Sequence, residues 1–405
     1  MSSSDRGSTV SRRRLLGTGA KATVLGLALL GVAAAPPRGT GDLALVVERA
    51  SGTVQIVDTT ARQVVSRVAG LGDLSHATAV FSRDARHAFV FGRDGGLSKI
   101  DLLAGEVVAR VVQAGNSIGG AISDDGTIVA VGNYAPGGVK LFATGSLAPL
   151  ADIPALTAGG AMRSKVVGLV SAPGRRFVVA LYDAGEIWLI DCADPAAPLV
   201  RKYPGIGRLP YDGNITSDGR FYIAGLFGED GLALLDLWNP DAGVRRILDG
   251  YGRGEEPLPV YKMPHLAGWG RAGGLLLVPA VGRHEVLVID TAQWREVKRI
   301  PVRGQPVFIV VRPDGRQAWV NFALPDSGTV QVIDMLTLAP MRDLQPGKAV
   351  LHMEFSPRGE QMWVSARDSG KVVVYDSRTF AILAELPSQS PSGIFMAARA
   401  HTMGR

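Results

Sequence analysis

A short apolar run ending in an aspartate recurs along nearly the whole chain. Ile56-Val57-Asp58, Lys99-Ile100-Asp101, Leu189-Ile190-Asp191, Leu234-Leu235-Asp236, Val288-Ile289-Asp290, Val332-Ile333-Asp334 and Val374-Tyr375-Asp376 share this form. Val139 to Phe142 fills the remaining place without the aspartate. Neighbouring copies stand about 41 to about 54 residues apart, room for four short strands and their turns. Between the first two strands of a repeat comes a turn such as Ser123-Asp124-Asp125-Gly126, Ser217-Asp218-Gly219-Arg220, Arg312-Pro313-Asp314-Gly315 or Ser356-Pro357-Arg358-Gly359. Asp-Gly pairs supply the positive φ that hairpins need. Phe221-Tyr222-Ile223-Ala224 and Gln361-Met362-Trp363-Val364-Ser365 alternate as strands do, and no segment has the periodicity of a long helix. A four-stranded sheet cannot bury both faces alone, so the eight repeats pack radially. The fold class predicted is all-β, a single eight-bladed β-propeller. Its first repeat starts abruptly at Asp42, while Gly393 to Ala400 reads as a strand without a repeat of its own. The C-terminal strand is therefore expected to close the ring.

The first residues are of another kind. Ser11-Arg12-Arg13-Arg14-Leu15-Leu16 precedes an apolar stretch from Val24 to Ala35, then Pro36 and Pro37. This reads as a twin-arginine signal peptide over residues 1–34, with the propeller over 35–405 and a periplasmic destination. The apolar stretch is shorter than the ~20 residues of a spanning helix, so no membrane anchor is expected. Val32-Ala33-Ala34 offers the small residues for cleavage before Ala35.

The formal net charge of +6 includes five cations and one acid within residues 1–34 (Arg6, Arg12, Arg13, Arg14 and Lys21 against Asp5); removing that +4 leaves +2. A nucleic-acid partner loses its compositional support. Cys192 is the single cysteine, which excludes an internal disulfide and a thiolate metal cage within one chain. Phosphate-cradling glycine loops and His-Glu-x-x-His helices are absent from the sequence. Glu229-Asp230 and Asp124-Asp125 fall in predicted turns, where solvated carboxylates are ordinary.

In a propeller the innermost strands line the central channel, and their first residues surround one mouth. Counting back six residues from each turn serine or its equivalent gives His76, Ser117, Lys165, Tyr211, Pro264, Pro306 and Val350. Beside them stand Asn116, Asp212, Asn214, His265, Gln305 and His352. Taken singly, each of these histidines reads as a partly exposed polar group. Together, three of the chain's six histidines converge on one ring, with a lysine, a tyrosine and amides. Imidazole is the common ligand of heme iron, and cations nearby would neutralise the carboxylates of a tetrapyrrole. Arg93, after the second strand of the His76 repeat, reaches toward the same face or pairs with Asp94 in its turn. His87, His284 and His401 fall where structural or solvated roles are expected. His76, His265, Tyr211 and Asp212 are the candidates for catalysis; His76, Arg93, Asn116, Lys165, Asn214, His265, Gln305 and His352 are those for ligand binding.

Ser75-His76-Ala77-Thr78, then Phe91-Gly92-Arg93-Asp94 and Ile100-Asp101-Leu102, resembles the blade of cytochrome cd1 nitrite reductase that carries the proximal histidine of heme d1. His76 would then be an axial ligand to tetrapyrrole iron. Met263-Pro264-His265-Leu266-Ala267-Gly268-Trp269 is similar to the stretch holding a distal histidine of that enzyme. Gln305 stands at the second distal position, and the sequence has no Cys-x-x-Cys-His motif, which argues against nitrite reduction. Gly115-Asn116-Ser117-Ile118-Gly119-Gly120 through Asn133-Tyr134, Phe221 to Trp238, and Pro391-Ser392-Gly393-Ile394-Phe395 resemble the NirF family. That resemblance implies a role in heme d1 biosynthesis, with heme d1 or a late d1-type precursor as ligand or substrate. An oxidoreductase completing a dehydrogenation, a non-catalytic carrier delivering the cofactor, and a protein-docking scaffold remain the alternatives. Cytochrome cd1 nitrite reductase and other heme d1 maturation proteins are the implied partners, and a homodimer is left open.

Overall fold

The structure is a computed structural model that describes residues 39–404, apart from 158, 159, 161, 251–267, 281 and 403. Thirty-two strands form eight four-stranded antiparallel sheets, one per repeat. Seven sheets run outward in sequence order from an innermost strand: Thr78–Phe81 in blade 2, Asn116–Ile122 in blade 3, Val166–Ala172 in blade 4, Pro210–Ile215 in blade 5, Gly270–Ala272 in blade 6, Pro306–Val311 in blade 7 and Val350–Phe355 in blade 8. Blade 1 is composite. Its strands Leu43–Glu48, Thr53–Asp58 and Gln63–Val68 take the C-terminal strand Pro391–Met396 as their innermost member, with Leu45 opposite Phe395 and Glu48 opposite Pro391. The closing strand is shorter than Gly393 to Ala400 because Ala397–His401 turns into a 3-10 segment.

The recurring aspartates explain themselves in this architecture. Each ends the third strand of its blade and accepts backbone N–H bonds from the turn that follows: Asp101 from Leu103 and Ala104, Asp334 from Leu336 and Thr337, Asp376 from Arg378 and Thr379. A short carboxylate satisfies the donors of a tight turn in this way, which fixes where the outermost strand begins. In blade 3 the place of the aspartate is taken by Ala143, whose carbonyl accepts the Leu147 N–H while Ser146 Oγ accepts that of Ala148.

Burial follows the distance from the channel. Middle strands such as Arg176–Leu181 and Gln317–Phe322 are buried almost throughout, whereas outer strands such as Glu106–Val112 alternate toward solvent. Trp188, Trp319 and Trp363 are fully buried between blades, and each indole N–H finds a side chain two residues earlier on the same strand face: Glu186 (2.7 Å), Gln317 (3.2 Å) and Gln361 (3.0 Å). Without that acceptor each buried N–H would cost about 1–3 kcal/mol. Cys192 is buried as well, and burial pushes its thiol up to about 12, which leaves it an unreactive core residue.

Candidate functional site

A pocket of about 550 Å³ opens at the mouth where the innermost strands begin. Blades 7, 8, 1 and 2 build it. His76 and His352 both line it, together with apolar walls from Phe308, Phe322, Leu324 and Phe395.

Beta-bulges set which side chains face inward. The register of the inner strands slips between Pro306 and Ile309 in blade 7 and between Val350 and Met353 in blade 8. Each bulge bends its strand and re-aims one residue, here Phe308 and His352. The Asn321 side chain holds both bulges, accepting the Phe308 N–H and donating to the Val350 carbonyl. His352 is buried between Phe308 and Phe395, with ring centroids at 5.3 and 5.4 Å. Its Nδ1 accepts the backbone N–H of Ile394 at 3.2 Å, so the neutral imidazole carries its proton on Nε2.

His76 is half-buried at the start of the blade 2 inner strand. Its loop is fastened at Asp73, whose carboxylate accepts the Ser75 N–H at 2.8 Å and whose carbonyl accepts the Arg93 N–H at 2.7 Å. These bonds to Ser75 hold the Asp73 carboxyl below its ordinary range.

Arg49, Lys348 and Arg367 also line the pocket. Burial, and next the neighbouring Arg367, pulls the Arg49 guanidinium below its ordinary value; Arg93 acts in the same direction, and Asp73 and Asp368 oppose it. Arg367 is held in a bidentate pair by Asp368. Three cations, Arg49, Lys348 and Arg367, thus line this pocket with the carboxylate of Asp368, and Arg93 and Asp73 act electrostatically on Arg49 from behind it. Sequence reasoning reached only Arg93, yet a signal existed. Arg49, Arg93 and Arg367 all stand one or two residues beyond the second strand from the channel, in blades 1, 2 and 8.

Val350 also lines this pocket, whereas Lys165, Tyr211, Asp212, Asn116, Asn214 and Gln305 do not. Lys165 pairs with Asp183 at 2.8 Å and lies over the Tyr182 ring. Tyr211 and Asp212 line a separate crevice of about 20 Å³ between blades 3, 4 and 5. The Tyr211 hydroxyl accepts from Tyr134 at 3.1 Å, and burial drives its pKa far upward, so it keeps its proton. Asp212 is buried in a bulge with φ of 58°, a conformation aspartate tolerates, and accepts the Gly213 N–H. Counting back six residues fails in blade 5 because Thr216, not Ser217, closes the hairpin: its Oγ1 accepts the Phe221 N–H and bonds Asp218. The equivalent of His76 there is Pro210, one residue before Tyr211. Asn116 begins the blade 3 inner strand; Asn214 and Gln305 are buried, and Asn214 Nδ2 and Gln305 Oε1 have no hydrogen-bond partner among the described residues. His265 and Pro264 lie outside the described residues. Of the paired acids, Glu229 bonds Arg246 and Arg208, and Asp124 accepts two N–H bonds from the Gly174-Arg175 turn, both structural roles.

The sequence family described as cytochrome D1 heme domain matches residues 38–400. The protein NirF of Stutzerimonas stutzeri is 57% identical over 370 residues, 91% of this chain and 95% of that protein. NirF of Pseudomonas aeruginosa is 56% identical over 378 residues, 93% and 96% of the two chains. The chain belongs to the NirF family of d1-domain proteins. Its role is accordingly in heme d1 biosynthesis, as the family implies. Among solved structures, the dihydro-heme d1 dehydrogenase NirN in complex with DHE superposes with a TM-score of 0.77 at 29% identity, covering 91% of this NirF-family chain and 79% of that one. Among the described residues no helix is long and apolar enough to cross a membrane.

Proposed function

We propose that this protein binds a late d1-type tetrapyrrole in the periplasm, at the pocket between blades 7, 8, 1 and 2, and completes its maturation by removing hydrogen. The observation that carries the binding reading is the meeting of His76, an apolar cleft and three cations at one channel mouth. The donor set fits such a ligand: imidazole suits heme iron, flat aromatic walls suit a macrocycle, and guanidinium groups suit its peripheral carboxylates. Thr78 Oγ1 and Ser392 Oγ, in residues lining the pocket, have no hydrogen-bond partner among the described residues and would meet polar substituents.

In this arrangement His76 would face the ring metal, and Arg49, Arg367 and Lys348 would hold the peripheral carboxylates, with Arg93 adding positive charge behind Arg49. The likeness to a dihydro-heme d1 dehydrogenase supports a dehydrogenation. The substrate would lose a pair of hydrogens, their electrons passing to an external acceptor and their protons leaving through a histidine of the pocket. A second reading, a carrier that hands the ligand unchanged to nitrite reductase, is favoured by the separation of Tyr211 and Asp212 from the pocket.

A single-turnover experiment separates the two. The protein is mixed with dihydro-heme d1 and excess ferricyanide, and the absorption spectrum is followed against a sample without protein. An enzyme converts the spectrum to that of the oxidised macrocycle faster than the control; a carrier shifts it once on binding and then leaves it unchanged.

A further inference from the structure

The channel has a second pocket, of about 360 Å³, at the opposite mouth where the innermost strands of blades 6, 7 and 8 and the closing strand end. Two residues, Phe308 and His352, line both pockets and stand between them. The charged groups of the second pocket are Arg271, Glu354 and Arg399. Glu354 and Arg399 neutralise each other in a bidentate pair whose side chains are only 13% and 11% exposed, with the Arg399 guanidinium over the Phe395 ring. Arg271 has no such partner. Its hydrogen bond among the described residues goes to the Ile215 carbonyl, and the described acid that acts on it, Asp218, does so without forming an ion pair. By contrast Arg86, Arg220 and Arg246 are each paired with an acid.

A half-buried guanidinium with no carboxylate in contact is unfavourable: burial lowers the pKa of Arg271, and the more distant Asp218 only partly opposes that. One carbonyl uses little of the guanidinium's donor capacity. Thr402 adds a hydroxyl to the lining, and Trp269 and Phe308 add apolar walls. We infer that this opposite mouth is a binding site for a small oxyanion, a carboxylate or a phosphate, anchored by Arg271. The planar fork of arginine suits either anion bidentately, and among the described residues the charged lining side chains, two arginines against one glutamate, sum to a positive charge. This site does not depend on what occupies the other mouth.

The test is isothermal titration of the purified protein, free of tetrapyrrole, with inorganic phosphate and with acetate at constant ionic strength set by sodium chloride. At least one anion should bind saturably to the wild type. Arg271→Met, which keeps the aliphatic stem, should weaken that binding by about tenfold or more, and Arg271→Lys by less. Binding of phosphate alone or acetate alone identifies which oxyanion the site takes. Failure of both to bind, or equal binding by Arg271→Met, overturns the proposal. If Arg271→Met does not fold, arginine Nε–H resonances of the wild type decide: a saturable shift of a buried guanidinium supports the site, and no shift refutes it.

Discussion

At the scale of single residues, the proposed tetrapyrrole pocket is an electrostatic arrangement held in tension. Arg49 is crowded by Arg367 and Arg93 while losing water, so its charge is tolerated rather than favoured. A carboxylated ligand relieves that tension, and removing one guanidinium removes one charge-assisted contact. Arg49→Met and Arg367→Met should therefore each weaken tetrapyrrole binding about tenfold, an effect that shrinks when the carboxyl groups are methylated or when salt is raised. Titration of both variants with the free acid and with its methyl ester checks this. A residue-scale prediction about stability comes from Asp101, which Arg86 hydrogen-bonds at 2.7 Å and holds at about 2. Because the folded carboxyl lies below its unfolded value near 4, its contribution is fully present above pH ~4 and fades as pH falls toward 2. Asp101→Asn should lower the unfolding free energy at pH 7 and make little difference at pH 2, as denaturant melts at the two pH values would record. What the sequence disclosed at this scale was uneven. His76 stood out by convergence with other histidines, whereas Arg49 and Arg367 lay in ordinary-looking loops whose equivalence is visible only once the second strands of three blades are aligned in space.

At the scale of strands and turns, the repeat was readable because its aspartates and Asp-Gly turns have local causes. The turn donors must be satisfied by a nearby side chain, and hairpins need a residue at positive φ. Gly359 is such a residue, with φ of 74°, and a Cβ there would meet Arg312 Cγ and Pro313 Cδ at 2.8 Å. Gly359→Ala should cost about 1–2 kcal/mol for conformation and contact together, measurable by urea unfolding. The bulges were not readable. They depend on contacts from a neighbouring blade, such as Asn321 holding Val350; in blade 5, moreover, Thr216 closes the hairpin where the sequence reading took Ser217. That single slip is why the count through blade 5 singled out Tyr211 and Asp212, which line their own small crevice.

At the scale of the whole molecule, the ring is closed by non-local contacts, and Glu48 is their centre. Its buried carboxylate accepts from Thr53 and Gln55 at 2.8 Å and from the Gln389 N–H at 2.9 Å, joining the N-terminal strands of blade 1 to the chain that leads into the closing strand. Glu48→Ala strands these donors and should destabilise the propeller by about 2–4 kcal/mol, whereas Arg67→Ala, which removes only an exposed partner of the same carboxylate, should cost less than about 1 kcal/mol. Closure also positions function, since the closing strand supplies Phe395 and the Ile394 N–H that fixes the tautomer of His352. In the proposed function, the mouth between blades 7, 8, 1 and 2 takes a d1-type tetrapyrrole through His76. The most direct measurement is an absorption titration of the purified protein with heme d1, run beside His76→Ala. A saturable spectral shift is expected for the wild type and its loss or strong alteration for the variant; identical spectra and affinities for both proteins, or no binding by either, would overturn the assignment of His76 and of this mouth.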